Sequence, residues 1–274
     1  MKIFVVAGGK GGVGKTACAA HTAFFSHEAG LRTLAVDLDT GNLSKTLAAY
    51  DLGIVASALF GDTPPERLAA KQEAAGSQGP IAADVALVTD LSANCHKGRL
   101  DLIRADNLLP NLIYLPLEQA LSRFTANLQR FGQDYDLCVI DTAPGLGIAL
   151  AAALHAADAV ISPVEMEAYS IEGIKYLMRT ILNARQRNPR LSFLGILPSR
   201  VDRRNPRQVT HLAQVRATQG TFVVPLVVGL RSSVAEALAL GVPVWKLRKT
   251  SARAAGVEMR TLGNYVLIKM GVLQ

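Results

Sequence analysis

Residues Gly9 to Thr16 read G-K-G-G-V-G-K-T and fit the pattern G-x-x-x-x-G-K-[ST]. The stretch follows a short apolar run (residues 3–7) and opens a helix-like run (residues 15–29), the context that gives this pattern its meaning. Gly9, Gly11, Gly12 and Gly14 let the backbone turn sharply and aim its N–H groups at phosphate oxygens, with Val13 and Ala17 completing the wall. The start of the following helix adds the positive end of its dipole. Lys15 reaches the β- and γ-phosphates as a point charge, and the Thr16 hydroxyl is a ligand for Mg²⁺. The chemistry is that of a nucleoside triphosphate. No N-K-x-D segment reads guanine, so the expected cofactors are ATP and Mg²⁺.

Such a site needs further carboxylates. Residues 137–140 are apolar and end in Asp141, which places this carboxylate at a strand's C-terminal end, in the crevice where open α/β sheets bind nucleotides. Asp37-Leu38-Asp39 ends another strand. Asp37 joins Thr16 and Asp141 as a candidate metal ligand. Asp39 is the candidate for orienting or deprotonating the attacking water. Asp39 in a turn or cap is the plainer reading of the same residue.

The elements that must hold these groups alternate. Apolar, β-branched runs at 3–7, 33–37, 85–89, 112–115, 137–141, 159–163, 193–198 and 222–227 are separated by helix-like stretches at 15–29, 117–131, 145–156 and 170–187. The pattern predicts a single α/β domain over residues 1–274: a mostly parallel, twisted sheet with helices on both faces. The last helix, 251–269, is expected to pack back on that domain. Residues 73–80 are the most loop-like, and no low-complexity linker divides the chain. Cys18, Cys95 and Cys138 form no C-x-x-C pair, and the five histidines are scattered, so neither a disulfide framework nor a His/Cys metal site is expected. The apolar stretch 146–164 carries His155, Asp158 and Pro163, which fits a buried helix and strand better than a membrane span.

With its second lysine, Lys10, near the start of the loop, the chain resembles the ParA/MinD family of P-loop ATPases, whose deviant Walker A motif reads K-G-G-V-G-K-T here at residues 10–16. The resemblance runs through D-L-D-T-G-N (37–42) as the first switch, Y-D-L-C-V-I-D-T-A-P-G-L-G (135–147) as Walker B and second switch, and the strand and helix at 158–173. It continues through G-I-L-P-S-R-V-D-R-R (195–204), which puts Pro198 near the adenine, and the A-E-A and G-V-P elements within 232–244. Within the family the chain looks most like the short partition ATPases, with no DNA-binding extension before the phosphate loop.

The resemblance implies a homodimer closed around two ATP molecules, with Lys10 and Lys15 on the phosphates and Asp39 on the water. It implies non-specific DNA binding by the ATP-bound dimer and release by hydrolysis that a ParB-like centromere-binding or adaptor protein stimulates. The setting would be the cytoplasm, on the nucleoid when ATP is bound. The sequence departs from the family at Thr40-Gly41, where Pro-Gln is usual, at Ala17, where a second Thr is usual, at Ala143, where the second switch often has another proline, and around Arg231.

Charge fits that reading. Residues 1–164 hold 12 Lys+Arg and 16 Asp+Glu, a net of −4, and residues 165–274 hold 17 and 6, a net of +11. Backbone phosphates are bound by such charge without fixed spacing. The candidates are Arg203, Arg204, Arg207 and Arg231, then Lys246, Arg248, Lys249 and Arg253. Solvated surface charge is the plainer reading. A MinD-like membrane-cycling ATPase would need an amphipathic, basic C-terminal helix; residues 264–274 carry only Lys269, and no stable membrane association is expected. A ParA-like ATPase that positions a protein cargo remains an alternative.

Overall fold

The computed structural model describes residues 1–65, 98–145, 147–167 and 170–273. The expected strand at 85–89, the loop-like stretch 73–80 and Cys95 lie outside these residues.

In β1 (Lys2–Val6), Ile3 and Val5 enter one core while Phe4 and Val6 enter another. A strand covered on both faces divides its side chains in this way. It is one of seven, with β2 (Arg32–Leu38), β3 (Asp51–Val55), β4 (Arg99–Arg104), β5 (Leu137–Thr142), β6 (Ala159–Glu165) and β7 (Ser192–Ser199). All pairings are parallel, in the order β3-β4-β2-β5-β1-β6-β7. One face is covered by α1 (Lys15–Glu28), α2 (Asn42–Thr46), α7 (Ser232–Ala239) and α8 (Thr250–Lys269). The other face carries α3 (Leu117–Phe131), α4 (Ile148–Ala156) and α5 (Ser170–Arg187). A smaller cluster under α6 (Pro206–Gln219) joins Val215 to Met166, Ile196 and Val201.

The expected fold class therefore holds, while two expected strands do not. Residues 112–115 fall largely in a 3₁₀ segment, Leu109–Tyr114, because Pro110 sets a turn and Pro116 closes the segment. Residues 222–227 touch β7 through one bridge, Ile196 to Val223, and Pro225 has no N–H to continue the ladder.

The last helix packs back as expected. Val266 and Leu267 are fully buried in the core that α1 shares, while Ile268 beside them stays exposed. Two glycines let α8 come close: a Cβ on Gly263 would lie 2.6 Å from the Phe25 ring, and one on Gly256 would lie 3.0 Å from Cβ of Trp245. Between these contacts His21 of α1 is fully buried. Its Nδ1–H donates to the Ala17 carbonyl at 2.8 Å and its Nε2 accepts the Val244 N–H at 3.1 Å. Those two bonds fix the neutral tautomer, and burial pushes its pKa down to about 4. Among the described residues no helix is long and apolar enough to cross a membrane.

Candidate active site

The loop from β1 to α1 is shaped by Gly12 (φ 77°) and Gly14 (φ 95°), both left-handed. Gly14 is the N-cap of α1, and a Cβ there would stand 2.9 Å from Ser199 Oγ. A side chain at Gly14 would therefore meet both strain and a clash. Cβ atoms on Gly9 or Gly12 would meet nothing within 4 Å, so the cradle is open on the side the phosphates require. Val13 is buried and anchors the loop, while Ala17 lines the cleft of about 580 Å³ that the loop opens onto.

Lys15 is buried, and its Nζ donates to the Lys10 carbonyl at 2.9 Å. Burial lowers its pKa, against the opposing pull of Asp141 and Asp39. Lys10 itself is exposed and pairs with Glu167 at 3.3 Å.

β2 and β5 run side by side with Asp37 level with Asp141. Thr16 Oγ1 donates to Asp141 Oδ2 at 2.6 Å, while the buried Asp141 Oδ1 has no partner. Burial pushes the Asp141 carboxyl up to about 7, the Thr16 bond opposes the shift, and the neighbouring Asp37 and Asp39 charges add to it. A buried carboxylate oxygen without a partner is costly, and a divalent cation satisfies it. Thr16 and Asp141 thus fit Mg²⁺.

Asp37, the third candidate metal ligand, is already engaged by its neighbours. Its Oδ1 accepts the Asp39 N–H at 3.0 Å, and its Oδ2 accepts both the N–H and the hydroxyl of Ser44 at 2.7 Å. Ser44 Oγ also accepts from the Ala105 N–H at 2.9 Å. With both oxygens engaged, Asp37 holds the loop that carries Asp39. Asp39 lines the cleft, and its buried Oδ1 has no partner. That atom is available to a water or a proton. The departure Thr40-Gly41 also gains a reason: Gly41 has φ 87° and is the N-cap of α2, a conformation that a glutamine would strain.

Pro198 is not in the cleft wall. Its carbonyl accepts the Val228 N–H at 2.9 Å, and the next two residues, Ser199 and Arg200, line the cleft instead. Arg200, at φ 54°, is the one non-glycine with positive φ among the described residues, and it pairs with Glu165. Sequence reading missed Ser44, since a lone Ser after a strand carries no pattern; Ser199 and Arg200 lie within the 195–204 segment it singled out, but it named Pro198 there instead.

The basic candidates divide. Arg231 lines the cleft and is clamped by Glu258 in two bonds, 2.7 and 3.2 Å, so it is not a free surface cation. Arg204 leans on Asp202 at 3.2 Å, Lys246 on Glu28 at 3.1 Å and Lys249 on Glu236 at 2.5 Å. Arg203, Arg207, Arg248 and Arg253 are exposed and form no ion pair among the described residues.

Comparison with known proteins identifies the family. The family described as an AAA domain matches residues 1–193. Protein IncC of Escherichia coli is 48% identical over 276 residues, which covers 100% of this chain and 71% of that protein. The chromosome partitioning protein ParA of Caulobacter vibrioides is 32% identical over 251 residues, 89% of this chain and 86% of its own. The chain belongs to the ParA/MinD family of P-loop ATPases. Among solved structures, a cobyrinic acid a,c-diamide synthase of Mycobacterium smegmatis with bound ADP and magnesium superposes with a TM-score of 0.67 at 25% identity, covering 97% of this chain and 94% of that one. Gly11, Gly12, Gly14, Lys15 and Thr16 of this chain's deviant loop line the cleft, while Lys10 pairs with Glu167.

Proposed function

We propose that this chain is a ParA-type ATPase of plasmid or chromosome partition, a single ATPase domain over residues 1–274 with ATP and Mg²⁺ as its cofactors. The observation that carries the reading is the pair of buried, unpartnered carboxylate oxygens, Asp141 Oδ1 and Asp39 Oδ1, set around Lys15 and Thr16. Thr16 and Asp141 would hold Mg²⁺, which would supply positive charge to the phosphates. Lys15 leaves the Lys10 carbonyl for the phosphates, which costs little because a carbonyl is a neutral partner. Asp39, aimed by Asp37, orients the attacking water and takes its proton. Lys10 leaves Glu167 to reach the nucleotide of a second subunit, so ATP closes a dimer.

The dimer grips DNA through its phosphates without reading sequence, and hydrolysis stimulated by a ParB-like partner releases it. The likeness to IncC and to a chromosome partitioning ParA supports partition over other cargoes. The chain works in the cytoplasm, on the nucleoid while ATP is bound. A MinD-like membrane cycle is disfavoured because Leu262, Val266 and Leu267 of α8 are buried in the core.

Asp39→Ala tests the assignment. It is expected to keep ATP-dependent dimerisation, seen by light scattering, and ATP-dependent binding to random-sequence duplex. Phosphate release should fall about 100-fold or more. Unchanged turnover would remove Asp39 from the mechanism.

A further inference from the structure

At the far end of α1 from the phosphate loop, Glu28 gathers three groups from the C-terminal part of the chain. Trp245 Nε1–H donates to it at 2.8 Å, Lys246 Nζ lies 3.1 Å away and Arg260 lies 3.6 Å away. The Arg260 guanidinium also stacks over the Trp245 ring at 4.9 Å. Glu28 keeps 28% of its side chain exposed, whereas Lys246 keeps 62% and Arg260 54%. One half-buried acid thus neutralises two well-exposed cations only in part. Exposed pairs of this kind are weak and yield easily to a better anion. Between the two cations in the chain come Arg248 and Arg253, exposed and with no ion pair among the described residues.

We infer that Lys246 and Arg260 exchange Glu28 for backbone phosphates of a nucleic acid, so that Glu28 is a built-in competitor of the polyanion. This rests on the DNA-binding reading above and gives that surface its location and its restraint. Arg260 was not among the cations the sequence singled out. It enters because α8 carries it onto the Trp245 ring. The same segment is tied to α1 a second time, where the Val244 N–H donates to His21. Glu28 and Thr16 are therefore opposite ends of one helix, about 20 Å apart at 1.5 Å per residue. A polyanion that takes both cations leaves Trp245 as the remaining Glu28 partner among the described residues, and loosens the hold of the 244–246 segment on the helix that carries Thr16. By linkage, any effect of nucleotide on polyanion affinity must be returned in kind.

The test uses the full chain with ATP and a short random-sequence duplex, followed by fluorescence anisotropy across a salt series. Glu28→Gln keeps an acceptor for Trp245 while removing the charge. It should tighten binding roughly 3- to 10-fold, the worth of one or two exposed pairs, with basal ATP hydrolysis unchanged. The double variant Lys246→Ala/Arg260→Ala should bind more weakly, and its slope of log affinity against log salt should be shallower by about 1.8, two phosphate contacts' worth. If the unaltered protein binds duplex and either Glu28→Gln binds no tighter or the double variant keeps its affinity and slope, the exchange is wrong while the DNA reading stands. If the unaltered protein binds no duplex in any nucleotide state, the reading fails and the exchange falls with it. Thermal melts check folding; should Glu28→Gln melt early, the double variant decides alone.

Discussion

The two ends of α1 are built on opposite principles. At its start, Lys15 and Asp141 are buried, and the carboxylate keeps an oxygen without a partner. At its end, Glu28 is half-buried and oversupplied with partners: an indole N–H, an ammonium and a guanidinium. The first end is short of charge compensation and waits for a ligand that brings it. The second already has compensation and must give some up before a ligand binds. Burial accounts for the difference, since a charge out of water demands a strong specific partner, whereas an exposed one trades partners at small cost.

The largest expected effect breaks the first end alone. Lys15→Ala should weaken binding of a non-hydrolysable ATP analogue at least about 100-fold, because the phosphates lose a charge-assisted partner in a buried cradle. Titration calorimetry measures this. The unfolding midpoint without nucleotide should change little, since removing a desolvated ammonium offsets the loss of its pull on Asp141 and Asp39.

The middle of the helix comes next. His21→Ala should cost about 2–4 kcal/mol in denaturant unfolding, through a cavity and two lost buried hydrogen bonds. The ring's folded-state pKa, about 4, lies below its ordinary 6.5. Its share of stability is therefore complete above 6.5 and is lost as pH falls toward 4, about 3 kcal/mol in all. The variant should show that much less acid sensitivity. An equal acid response in both proteins would show that burial does not hold the His21 ring neutral.

The smallest effect sharpens the first end. The Asp141 carboxyl, held up to about 7, must lose its proton to take Mg²⁺. The Mg²⁺-dependent gain in nucleotide affinity should shrink about tenfold per pH unit below 7. In the ligand-free chain the sign is reversed. A carboxyl whose folded pKa is raised supports folding while protonated, and that support is lost as pH rises from 3.8 through 7. Asp141→Asn should flatten both curves. Nucleotide titrations with and without Mg²⁺ between pH 5.5 and 8, an assay range chosen to span that value, separate the two effects.

The same contrast decides what could be read from sequence. The phosphate loop was legible because backbone geometry fixes residue type: glycines where φ is positive, Lys and Thr where α1 starts. Asp141 and Asp39 were legible because strand ends point into the crevice. The loop-holding part of Asp37 was not legible because the Ser44 bonds that occupy it come from the next helix and have no sequence pattern. β4 was missed because R-L-D-L-I-R does not look apolar; its Arg99 and Asp101 neutralise each other beside the Tyr135 hydroxyl. On the basic half, charge counting found the surplus but could not see that Arg231 is spent on Glu258, or that Arg260 belongs with Lys246. Those pairings are set by the packing of α8, not by spacing.

The strand order carries a consequence for how the protein is made. β1, which leads into the phosphate loop, is hydrogen-bonded on one side to β5 and on the other to β6. Neither neighbour exists until the ribosome has passed residue 137, and the second ends at residue 165. At about 5–20 residues per second the first strand waits about 10–30 s for its partners. Throughout that interval an apolar segment with two unpaired edges is exposed, next to a glycine loop that has nothing to fold against. ATP cannot help the nascent chain, because its binding site is among the last parts of the sheet to close.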